Sequence, residues 1–209
     1  MFRGNSARVN GGAIYIAGNS SPSLANCSFE ENSAGSGGGA IHITEASAPK
    51  IASSTFLENS ARSGGAIESI GSSLPILTNC SFQRNSAIAA GGAIYNYESS
   101  PELTNCSFQG NSSYSGGAIY NELASPTLTN CSFQGNSSIT GGTIFNNIES
   151  FPTLRNCILW NNSNNGSTSI PEASIRNVES SATTYEHCLI QNLNLSGSGN
   201  LNGTNPLNN

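Results

Sequence analysis

The side chains best suited to chemistry in this chain are His42 and Glu68, which follow the isoleucine in two copies of a recurring Gly-Gly-Ala-Ile motif. An imidazole and a carboxylate held side by side could pass a proton, as general acid–base catalysis requires. The same position in other copies holds Tyr15, Tyr95, Tyr120 and Phe145. Exposed in a row, these rings could stack on a sugar or meet a protein. Six cysteines, Cys27, Cys80, Cys106, Cys131, Cys157 and Cys188, form a third set. All twelve acidic residues are Glu and none is Asp, so a hydrolase-type acid pair would have to be built from Glu. Glu45, Glu98, Glu122 and Glu149 sit at shifting offsets in the pattern and read as turn residues.

What positions these residues is an internal repeat. Pro101-Glu102-Leu103-Thr104-Asn105-Cys106-Ser107-Phe108 returns as Pro126-Thr127-Leu128-Thr129-Asn130-Cys131-Ser132-Phe133. The frame also fits residues 22–29, 75–82 and 152–159, and residues 49–56 with Ser54 in the cysteine column. Asn follows three positions after Phe at Asn5, Asn32, Asn59, Asn85, Asn111 and Asn136. Gly-Gly-Ala-Ile starts at Gly11, Gly38, Gly64, Gly91 and Gly116, with Gly-Gly-Thr-Ile at Gly141. Equivalent prolines lie 25 to 27 residues apart.

Within each copy the apolar positions alternate, and Asn-Ser, Gly-Gly and Ser-Pro punctuate them. Short strands, tight turns and a fixed period predict an all-β solenoid: a single-stranded parallel β-helix of 7–8 coils, each 25–27 residues long. Residues 1–160 form the regular coils, and residues 161–209 the degenerate closing coils and Asn/Gly-rich tail of the same domain. Coils stack about 4.8 Å apart, so equivalent residues touch. Phe29, Phe56, Phe82, Phe108 and Phe133 are expected to fill the interior, with the Ile column on a second wall. Cys27, Cys80, Cys106, Cys131 and Cys157 share one inward column. Their parallel Cβ vectors suit inert buried thiols better than disulfides, and nothing supplies a tetrahedral metal site.

Alternation with the buried Ile points Tyr15, His42, Tyr95, Tyr120 and Phe145 outward as a binding stripe. On that reading His42 and Glu68 are an exposed polar pair on a solvated face. His187 reads as a surface residue. An ice-binding lattice is not supported, because Asn and Cys separate the Thr and Ser columns. The Asn-x-Ser matches come from the repeat itself.

The two elements Phe-x-x-Asn and Gly-Gly-Ala-Ile resemble the repeats of chlamydial polymorphic outer membrane proteins over residues 2–144. The resemblance implies a right-handed parallel β-helix of the pectin-lyase-like type, on a surface or extracellular protein with adhesin behaviour. Residues 157–161 and 197–207 resemble closing coils of large bacterial β-helix surface proteins. Neither the barrel nor the signal peptide of the chlamydial proteins has a counterpart here, so export and anchoring are expected from elements outside this chain.

Composition narrows the partners. Net charge is −5, and seven scattered basic residues provide no stripe for phosphates, so nucleic acid is not expected. No apolar run reaches the roughly 20 residues of a membrane span, so no insertion is expected either. The first coil begins at Phe2 without a preceding Pro-Leu-Asn-Cys strand, which leaves an open β-edge. The reading is a non-catalytic adhesive or spacer stalk without cofactor or metal, meeting a host or neighbouring-cell protein or glycan. A filament subunit stacking end to end is the alternative, and a carbohydrate-binding or carbohydrate-active protein a weaker one.

Overall fold

A computed structural model describes residues 1–193 and 199–203. The chain winds as a right-handed parallel β-solenoid. Four parallel sheets run along its axis, one of nine strands and three of seven. A central coil shows the path: Ser81–Gln83, Ser86–Ala90, Ile94–Tyr97, then Glu102–Thr104. We call the four walls the Phe, Ser, Ile and Leu sheets after their repeated residues. Every equivalent set meets in register, with Phe82 beside Phe108, Ser86 beside Ser112, Ile94 beside Ile119 and Leu77 beside Leu103.

The seven strands of the three shorter sheets enclose about six complete turns, slightly fewer than the expected coil count. The shortfall lies at the C-terminal end, where the Gly-Gly-Ala-Ile element is lost. There a 3-10 turn, Pro171–Ala173, follows the last Ser-sheet strand; the Ile and Leu sheets each add one more strand, Ile175–Asn177 and Thr184–Glu186, and among the described residues the Phe sheet alone runs on through Leu189–Gln191 to Leu201–Gly203. Residues 194–198 and 204–209 of the Asn/Gly-rich tail lie outside the described residues.

The core is made of columns. Phe2, Phe29, Phe56, Phe82, Phe108 and Phe133 stack with centroids 4.6 to 4.9 Å apart and planes within 6° of parallel. Beside them runs a ladder of buried amides through Asn32, Asn59, Asn85, Asn111, Asn136 and Asn162. Asn85 is typical. Its backbone N–H and its Nδ2 both donate to Oδ1 of Asn111, at 3.0 Å each, and Nδ2 also donates to the Phe56 carbonyl at 3.0 Å. Each side chain is thereby satisfied in a core that would penalise an unpaired amide.

Turns obey the same vertical logic. Asn79, Asn105, Asn130 and Asn156 occupy left-handed backbone, φ 52° to 55°, and their exposed amides bond one to the next at 3.0 to 3.1 Å. Asn tolerates this conformation better than other side-chain-bearing residues. At the Gly-Gly corner, Gly91 has φ +64°, and a Cβ on Gly92 would collide with the Gly117 carbonyl oxygen of the next coil.

These contacts set an order of sensitivity. Asn111→Ala strands the buried donors of Asn85 and should destabilise by about 2–5 kcal/mol, at roughly 1–3 kcal/mol per orphaned group. Asn130→Ala, on the exposed ladder, should cost less than about 1 kcal/mol. Phe108→Ala should cost about 3–5 kcal/mol. Thermal and urea unfolding followed by circular dichroism checks the ranking, and equal effects for Asn111 and Asn130 would refute the buried-ladder account.

Candidate functional site

The outward stripe lies on the Ile sheet, where Ile94 and Asn96 point inward and Tyr95 and Tyr97 outward. Register aligns Tyr15, His42, Glu68, Tyr95, Tyr120, Phe145 and Arg176 one above another. The stripe falls into two parts with different chemistry.

In the N-terminal part, Tyr15 stacks on the His42 ring at 4.8 Å, and His42 Nδ1 lies 2.7 Å from Glu68 Oε2. The expectation of an exposed polar pair on a solvated face is corrected here: His42 is 1% exposed and Glu68 9%. The covering element is the loop before the second Gly-Gly, whose sequence is Ser36-Gly37-Gly38-Gly39. A Cβ on Gly37 would overlap the Glu68 carboxylate, so the bare backbone closes over the pair. The pair bonds one coil to the next beneath that loop.

In the C-terminal part, Tyr95, Tyr120 and Phe145 stack with centroids 5.3 and 5.1 Å apart, and the Arg176 guanidinium caps the series 5.9 Å from the Phe145 centroid. Arg176 is held there by donating to the Thr140 carbonyl at 2.6 Å. Asn147 Nδ2 donates to the Tyr120 hydroxyl at 3.0 Å. Burial, then the Glu122 carboxylate, pushes the Tyr120 phenol up to about 12 and raises Tyr95 as well. Each ring covers its neighbour's face, so solvent meets edges and hydroxyls instead of open faces. Tyr15, 55% exposed, is the most open member.

The cysteine column is free of disulfides, with Cys27 half-buried and the other five buried. Each buried thiol reaches backbone carbonyls, as Cys106 reaches Leu77 at 3.7 Å and Thr104 at 3.4 Å. Hydrogen bonds between neighbouring thiols, and then burial, raise Cys80, Cys131 and Cys188, while the same thiol contacts lower Cys106 and Cys157. The column behaves as packing. Among the described residues, no three metal-ligating side chains gather. His187 occupies the left-handed turn position of the exposed Asn column, with φ 54°.

Two features were missed in the sequence. One is a second amide ladder, buried at Asn96, Asn121 and Asn146 and ending at the exposed Asn177, with steps of 2.9, 2.8 and 2.7 Å. Its signal was present as Asn two positions after the repeated Ile. The other is an exposed apolar ladder at the corner before Gly-Gly, formed by Ile88, Tyr114 and Ile139 at 81%, 51% and 55% exposure. The strand register brings these successive coils together, although the residues stand at unequal distances before the glycines.

The walls, columns and corners define the class: a parallel β-helix repeat protein. A profile described as "Right handed beta helix region" matches residues 65–208, more than half of the chain, and the chain belongs to that family. The Chlamydia polymorphic membrane protein repeat is matched by residues 1–17 and 26–44. No curated protein and no solved structure matches.

Two outcomes follow from the burial pattern. Glu68→Ala, which leaves His42 buried and unpaired, should cost about 1–3 kcal/mol, and adding His42→Ala should recover part of that loss. Strict additivity in a double-mutant cycle would refute the coupling. A thiol reagent should label Cys27 first in the native protein, with Cys80, Cys106, Cys131, Cys157 and Cys188 following only as the chain unfolds.

Proposed function

We propose that this chain is a non-catalytic, surface-associated β-helix segment: a stiff spacer that carries an adhesive corner. The observation that supports it most is the unbroken stack of buried Phe rings and Asn amides, which ties each coil to the next along the axis. At about 4.8 Å per coil, six turns hold whatever follows roughly 30 Å away from whatever precedes. The polymorphic membrane protein repeat match favours a bacterial surface location. The burial of His42 and Glu68 beneath Gly37 speaks against acid–base catalysis by that pair.

For the adhesive contact we favour Ile88, Tyr114 and Ile139 over the aromatic stripe. The stripe's ring faces are occupied by one another, which weakens the sugar-stacking alternative. The corner ladder keeps its side chains in water, and adjoining exposed apolar groups of this kind mark contact surfaces.

Both halves of the reading can be measured. A donor and an acceptor dye placed at the two ends should report a fixed separation near 30 Å, and a broad, shorter distribution would remove the spacer role. Beads coated with the protein should adhere to cells, and the triple change Ile88→Ser, Tyr114→Ser, Ile139→Ser should cut adhesion at least tenfold without lowering the Tm. Adhesion unaffected by that change would remove the corner. Degradation of a polysaccharide that depends on Glu68 would overturn the non-catalytic reading altogether.

A further inference from the structure

We infer that the corner bearing Ile88, Tyr114 and Ile139 is the apolar half of a longer track whose other half is basic. Its occupant is an extended polypeptide segment with carboxylates at one end and bulky apolar side chains at the other. The inference rests on the adhesive reading of that corner and names the partner's chemistry.

The track is one column of the solenoid. Six residues after each stacked Phe, one place beyond the register pairs of the Ser sheet, stand Arg8, Gly35, Arg62, Ile88, Tyr114 and Ile139 in consecutive coils. All six are exposed. The column thus passes from cation, through a gap, to a second cation and then to three apolar side chains. Five coil steps of about 4.8 Å make it roughly 24 Å long, the reach of about seven extended residues.

Charge selects the occupant. Of the seven basic side chains, Arg3, Arg84 and Arg155 are held by Glu31, Glu58 and Glu186 at 2.7, 2.8 and 2.9 Å. Arg176 is held by the Thr140 carbonyl and the Phe145 ring. Among the described residues, Arg8 and Arg62 meet no carboxylate. The acids at the left-handed turn preceding the corner, Glu31 and Glu58, are the ones taken by Arg3 and Arg84, so they leave the corner cations open. A free guanidinium fork matches a carboxylate in charge and in bidentate geometry.

Shape agrees with charge. Beside Gly35 lies a groove of about 300 Å³, lined by Ala34 and Ala61 from the inward column and by Arg62 and Ile88 from the outward one. The Ser60 and Ser86 hydroxyls also line it and make no hydrogen bond among the described residues, unlike the self-bonded pair Ser33 and Ser6 at 3.2 Å. They are available to the main chain of a bound segment. An anionic glycan would satisfy the guanidiniums, but Ile88 and Ile139 offer it no ring face to stack on. Apolar side chains of a polypeptide gain from burial against both.

The test probes an array of peptides about eight residues long with the full chain. Two alternate positions in one half carry Glu or Lys, and two in the other half carry Leu or Ser. Peptides combining Glu with Leu should bind at least tenfold more tightly than those with Lys for Glu, and the gap should narrow as salt rises. The double change Arg8→Glu, Arg62→Glu should invert the preference toward Lys while leaving the Tm unchanged. The triple change Ile88→Ser, Tyr114→Ser, Ile139→Ser should erase discrimination between Leu and Ser. A missing preference for Glu, or one that survives the double Arg change, would overturn the proposal. So would a polyuronate that binds the corner more tightly than any peptide, or self-association that either variant abolishes. Bead adhesion to cells separates this proposal from the adhesive reading. Adhesion lost with the triple change but untouched by the double Arg change leaves the adhesive corner standing and overturns the acidic partner alone.

Discussion

Everything in this molecule depends on a coil being able to bond to the coil above it. A single turn of about 26 residues has too few inward side chains to offset roughly 1–2 kcal/mol of backbone entropy per residue. Stacked in register, the same turn gains a backbone ladder on four sides, a face-to-face Phe contact and a satisfied amide. Asn suits the buried column because it donates and accepts along one axis. Asp at those positions would offer no donor and would set like charges about 5 Å apart. That repulsion amounts to roughly 3 kcal/mol per pair even at an effective dielectric of 20.

The same constraint governs where columns change identity. When Tyr gives way to His42 and then Glu68, the coils meet through a hydrogen bond in place of a ring stack, and Tyr15 closes one side of it. On the inner face of that sheet the column passes from Ile16 and Ile43 to Ser69 and then Asn96. Ser69 bonds to Ser99 at 2.6 Å, and Oδ1 of Asn96 is left without a partner at the foot of the second ladder. A uniform column satisfies itself, while a changing column must find complements between neighbours or carry an orphan. The chemistry-bearing residues of this chain stand at such a change, and the fold uses them as joints.

Because lateral contacts repeat, recognition has few places to reside. The sheets present Ser, Thr, Gln and Asn at matching heights, and their hydroxyl columns bond along themselves, as Ser107 to Ser81 at 3.2 Å. Distinctive chemistry is confined to corners, where loop composition varies between coils.

The repeat alone determined the coil, the register and the inward columns of Phe, Ile, Leu and Cys, because a fixed period with alternating apolar residues has one economical solution: equal residues above equal residues. It also determined the direction of the outward stripe, since strand geometry puts neighbours on opposite faces. Only the tertiary structure decided how deep that stripe lies. Whether His42 and Glu68 meet water depends on the backbone of a loop passing over them, and Gly37 carries no side chain to announce it. The column Ile88, Tyr114 and Ile139 was legible in the spacing, six residues after Phe82, Phe108 and Phe133, but only the tertiary structure decided that it stands in water. Periodicity dictates what stacks on what, but exposure is settled by whichever irregular segment crosses the regular one.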